Sequence, residues 1–140
     1  MGDFMKKTLL TATVFLALLQ AKEYTQEDRI KDMQDMAKYM AKIQQGFFYN
    51  NFDMIKLGGA KVADIIEKVR PPLSEKEEKD VMTRFMNNKV KMTMKIKNSI
   101  RRKLERMIEE FSKGDKIQAL QNFTGVTKEC MKCHTKLRKW

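Results

Sequence analysis

Apolar residues recur at spacings of three and four along most of this chain, and nowhere do they alternate. That rhythm is the period of a helix with one buried face, so strands are not expected. Only two prolines and six glycines interrupt 140 residues, and such residues decide how helical stretches divide. Thr25-Gln26-Glu27-Asp28 opens the first helix, with a threonine cap followed by acids in the first turn. Ile30, Met33, Met36, Ala37, Met40 and Ile43 form its buried stripe. Gly46 is placed to end or loosen it, although Phe47-Phe48-Tyr49 could carry it another turn, and Asn50-Asn51 makes the turn. Asp53 is expected to cap a second helix to Val69, buried through Ile55, Val62, Ile65, Ile66 and Val69. Gly58-Gly59 within it is either a weak point or a place where another helix or a cofactor comes close. Pro71-Pro72 breaks the chain.

Ser74-Glu75-Lys76-Glu77 starts a long helical region reaching Ser112, with an interruption expected at Asn87-Asn88. Its inner face is Ile96, Ile100, Leu104, Met107, Ile108 and Phe111. Gly114 ends it. A last helix, Lys116 to Arg138, is expected to bury Ile117, Leu120, Phe123, Val126, Thr127 and Cys130. Methionine, present 12 times, suits helices because straight side chains lose little rotamer freedom there. Four helices with short connections predict an all-α, antiparallel four-helix bundle.

The formal net charge is +11. Lys89, Lys91, Lys95, Lys97, Arg101, Arg102, Lys103 and Arg106 load the outer face of the third helix, which reads as a solvated face. Such charge attracts nucleic acid, an anionic membrane or an acidic protein, and the compartment decides which. Lys6-Lys7 precedes an uncharged run, Thr8 to Leu19, and a small residue, Ala21. The run is too short for a bilayer, which needs about 20 residues, and the pattern reads as a secretory signal peptide over residues 1–21. A start at Met5 would give a more ordinary opening to it. Residues 22–140 then form one exported domain with net charge +10, from 27 basic and 17 acidic residues. Export to the periplasm removes nucleic acid from the expected partners.

Both cysteines and the only histidine lie within Cys130-Met131-Lys132-Cys133-His134. On a helix, positions i, i+3 and i+4 share one face. The motif is the attachment signature of c-type haem: two thioether bonds to vinyl groups and an axial imidazole on iron. A structural zinc site wants four ligands. A thioredoxin-like pair wants a βαβ setting, and a disulfide within a helix turn is strained and leaves the histidine unexplained. No second histidine and no paired carboxylates near the motif support acid–base catalysis, so no enzyme is expected.

A C-terminal CxxCH on the last of four helices resembles the cytochrome c′ family and its low-spin relatives of the cytochrome c-556 type. The likeness covers about residues 25–138. "CMKCHTKLR" is similar to the family's CxxCHxxYR ending, with Leu137 in place of the usual tyrosine. The resemblance implies one covalent haem c per chain, with thioethers at Cys130 and Cys133, His134 as proximal ligand, and Arg138 beside the proximal face. "DRIKDMQDM" resembles the family's first-helix pattern. It implies Arg29 as a propionate partner and Met33 at the distal position, with Met36 as the fallback. Met33 on iron implies an electron carrier, steered to an acidic redox protein by Lys132, Lys136, Arg138 and Lys139. An open sixth site implies instead binding of NO or CO for storage, sensing or nitrosative defence. The family also implies a homodimer through the first two helices.

Overall fold

The computed structural model describes residues 24–70 and 88–137, with side chains in the second segment from 91 to 136. The described residues form four α-helices and no strand: α1 (Gln26–Phe48), α2 (Phe52–Lys68), α3 (Asn88–Ser112) and α4 (Lys116–Leu137). The expected signal peptide, the Ser74 start signal, Arg138 and Lys139 lie outside the described residues.

The start of α1 follows the sequence. Thr25 accepts from the Asp28 amide at 3.1 Å, and the Asp28 carboxylate accepts from the Thr25 amide at 2.9 Å, a reciprocal capping box. Gly46 neither ends nor loosens this helix, which continues through Phe47 and Phe48 as the alternative reading expected. It is buried inside α1, where a Cβ would stand 2.6 Å from Ile55 Cγ1 of α2. The cap of α2 is Asn51 rather than Asp53: its side chain accepts from the Met54 amide at 3.0 Å, and Asp53 supplies a first-turn acid. Gly114 closes α3 at φ +92°, a conformation open to glycine at little cost. Asp115 then caps α4 by accepting from the Gln118 amide at 2.9 Å.

Ile43, Ile55, Val62, Ile96, Ile100, Leu104, Met107, Phe111 and Val126 form one core drawn from all four helices. Gly58 and Gly59 serve helix–helix approach. A Cβ on Gly58 would meet Ile43 Cγ1 at 2.6 Å and the Tyr39 carbonyl at 2.9 Å on α1, and one on Gly59 would meet Ile108 Cδ1 at 2.9 Å on α3. Five burial expectations fail: Ile30, Ala37, Ile117, Leu120 and Thr127 are exposed, at the edges of their stripes.

Helix α1 packs along α2, α3 packs along α4, and the two pairs join mainly through α2 and α3. Four phenylalanines gather at one end of the molecule. Phe47 of α1 meets Phe111 of α3 and Phe123 of α4 at centroid distances of 5.5 and 5.6 Å, and Phe52 of α2 stacks on Phe111 at 6.2 Å. This brings the C-termini of α1 and α3 to the N-termini of α2 and α4, so consecutive helices run antiparallel. At the other end stand the start of α1, the end of α2, the start of α3 and the end of α4.

Candidate haem-attachment site

Helices α1 and α4 are not consecutive, and their backbones stand further apart than those of any consecutive pair. They meet where Phe47 packs on Phe123. On α1, Met40, Met33 and Arg29 follow Phe47 at helical intervals of seven, seven and four, and so share its face. On α4, Cys130 and His134 follow Phe123 at intervals of seven and four, and so share its face.

Cys130, Cys133 and His134 are each half-buried within α4. Both thiols pack against the core cluster rather than pointing to solvent, and both are free. Burial pushes the Cys130 thiol up to about 11, with the neighbouring Cys133 adding to the effect, and burial also raises Cys133. Both side chains are neutral at physiological pH. Among the described residues no three His, Cys, Asp or Glu side chains gather to hold a single ion. The motif spreads its sulfurs and imidazole along a helix face, an arrangement suited to a broad group held at separate points.

Met33 is half-buried and packs on the core, whereas Met36 is 9% exposed and belongs to it. Counted from the touching Phe47 and Phe123 rings, Met36 and His134 both lie about 16 Å along their helices, and Met33 about 4.5 Å further. Met36 is nearer in height to His134, but Met33 is less committed to packing.

Arg29 supplies the most direct sign of an absent partner. Its Nε is buried and has no hydrogen-bond partner. A buried guanidinium nitrogen left unpaired costs about 1–3 kcal/mol or more, and the partner such a group takes best is a carboxylate or phosphate. The neighbouring acids are otherwise engaged: Asp32 accepts from the Tyr24 hydroxyl at 2.7 Å, and Asp28 belongs to the capping box. The residues thus fit haem on two counts, inward-packed thiols on α4 and an unpaired guanidinium donor on α1.

Sequence reasoning missed the links between α3 and its neighbours. Ser99 donates to the Glu129 carboxylate at 3.2 Å, one residue before the motif, and Lys132 lies 3.7 Å from the same carboxylate. Lys97 does not belong to the outer basic face. It turns back onto the end of α2 and donates to the Glu67 and Val69 carbonyls at 2.7 and 3.4 Å, and burial lowers its pKa. Lys103 is half-buried, its stem laid where Gly125 leaves room on α4. A glycine inside a helical stripe was the only advance signal of that crossing. No protein-family model, characterised protein or solved structure matches this chain.

Proposed function

We propose that this protein is an exported c-type cytochrome that carries electrons, with haem held through Cys130 and Cys133, His134 as its proximal ligand and Met33 as its distal ligand. The observation that supports the reading is the CxxCH motif on α4, whose two cysteines pack inward on the core. A buried, unpaired Arg29 Nε on α1 adds to it. Bound haem iron supplies one-electron chemistry, and Met/His ligation raises its potential.

The chain's own residues do the rest. Cys130 and Cys133 fix the group to α4, and the core beneath them keeps water from its inner side. Arg29 places a donor where an acidic substituent can be neutralised. Met33 is half-buried and packs on the edge of the core, whereas Met36 is buried within it, so Met33 gives up less packing in turning toward a ligand. His134 has no second histidine opposite it anywhere in the sequence, so a thioether is the available sixth donor.

The test is the reduced absorption spectrum of the exported protein, with and without CO, after a haem stain that survives denaturation. Sharp low-spin bands unmoved by CO are expected. Met33→Ala should convert them to a CO-sensitive high-spin spectrum, and Met36→Ala should not. A CO-sensitive spectrum in the unaltered chain would replace electron transfer with NO or CO binding. Absence of covalent haem would overturn the proposal.

A further inference from the structure

Charge is divided unequally between the two helix pairs. Residues 24–70, holding α1 and α2, carry eight basic and seven acidic side chains. Residues 88–137, holding α3 and α4, carry thirteen basic and five acidic ones. The excess is concentrated further by the fold. Lys95, Arg102 and Arg106 lie exposed along α3 over about 16 Å. Lys128 and Lys132 lie exposed on α4, and Lys103 crosses from one helix to the other over Gly125.

The contacts between α3 and α4 show that these side chains share one surface. Ser99 and Glu129 bond across the seam, and Glu129 is the acid drawn into it, already engaged by Ser99 and Lys132. Lys95, Arg102, Lys103 and Lys128 have no ion pair among the described residues. Four like charges left without counter-charges repel one another, and an anionic surface relieves that repulsion.

We propose that this α3–α4 face is the docking surface for the acidic face of a protein partner. The partner's identity as a redox protein rests on the electron-carrier reading; the docking surface itself does not. Charge complementarity selects an anionic partner. Exposed Ile117, Leu120 and Met131 lie on α4 among these charges, a mixture of apolar and basic side chains that a protein face can cover. The exposed aromatics, Phe48 and Tyr49, which would anchor a bilayer-bound face, sit at the α1–α2 turn. The face reaches the cysteine motif through Lys132, one residue before Cys133, so a partner seated there comes close to the attachment site.

The test compares two triple charge reversals that alter net charge equally. One is Lys95→Glu, Arg102→Glu and Lys128→Glu on the α3–α4 face. The other is Lys38→Glu, Lys61→Glu and Lys68→Glu on α1 and α2. Binding of the full exported chain to poly-L-glutamate, and separately to phosphatidylglycerol vesicles, is followed against salt. The first variant should lose at least about ten-fold in poly-L-glutamate affinity at low salt, with a flatter salt dependence, and the second less than about two-fold. Equal losses would show that only net charge matters and overturn the proposal. Vesicle binding that persists near 0.15 M salt while poly-L-glutamate is released would also overturn it, in favour of a membrane. Haem content and helical circular dichroism are measured on the same samples. A folded chain without haem that keeps the site-dependent loss would sink the cytochrome reading alone. A haem-loaded chain without that loss would sink the docking surface alone.

Discussion

Replacing Gly58 with alanine should destabilise the protein although alanine is the better helix former. Gly58 lies mid-helix in α2, where the exchange gains about 1 kcal/mol of helix propensity. Against that, the new Cβ would stand 2.6 Å from Ile43 Cγ1 and 2.9 Å from the Tyr39 carbonyl oxygen. Ile43 is fully buried and has no room to turn away, and Tyr39 offers backbone. Relief requires α1 to move off α2, an overpacking cost of about 1–3 kcal/mol, so a net loss of about 1 kcal/mol is expected. Gly125→Ala is the control. Its Cβ would meet only the Lys103 stem, at 3.0 Å, and a flexible stem can shift. There the propensity gain should survive, and the two variants should differ by the overpacking cost, about 1–3 kcal/mol, or about 1 M in urea midpoint. Urea unfolding followed by circular dichroism, at one haem state for both, reads the difference. A Gly58→Ala protein as stable as Gly125→Ala would refute the claim that α1 is held against α2 by that contact. The consequence reaches the site, because α1 carries Arg29 and Met33.

Two further outcomes follow from the site. In chain without haem, Cys130 keeps its proton up to about pH 11, whereas an unfolded thiol loses it near 9. The folded state then binds more protons between those values, so stability falls as pH rises through that window. Urea unfolding should show about 1 kcal/mol more loss between pH 8.5 and 10 in the native chain than in Cys130→Ala. The excess should vanish once the sulfur is a thioether. For Arg29, removing the unpaired buried donor by Arg29→Met should leave haem-free chain as stable or more stable. The same change should destabilise haem-loaded chain by about 1–3 kcal/mol, because a charged hydrogen bond is lost; equal effects in both states would show that no anion binds at Nε.

What was legible in the sequence was what single helices can express. The threonine cap, the Gly114 stop and the 3.6-residue rhythm of the core each act within a few residues, so spacing alone located the four helices of the described residues. The failures lie at boundaries and edges. Asp53 and Asn51 are both competent caps, and only the path of the Asn50 turn, with Asn50 itself at φ 49°, gives the position to Asn51. Ile117 and Leu120 have the right spacing yet stand on the outer edge of α4, since spacing fixes which residues share a face but not how wide the covering neighbour is. Lys97 and Lys103 read as outer-face lysines because their charge suggests solvent. Their long stems let each lie along a neighbouring helix while the amine finds carbonyl oxygens or open water.

The same distinction governs the site. CxxCH is a local pattern and could be read before any fold was known. Its counterpart on α1 could not be read that way, because Arg29 and Met33 acquire meaning only from the helix opposite them. Phe47 on Phe123 supplies that relation, by fixing which face of α1 looks toward α4. Once this face is set, the buried and unpaired Nε of Arg29 ceases to be an isolated defect. On the proposed reading it is the α1 counterpart of the two cysteines on α4. The packing contact of Phe47 on Phe123 lies about 10 Å along α4 from Cys130 and about 16 Å from His134. Disturbing Phe47 should therefore alter the distal side of the site before it alters the attachment itself.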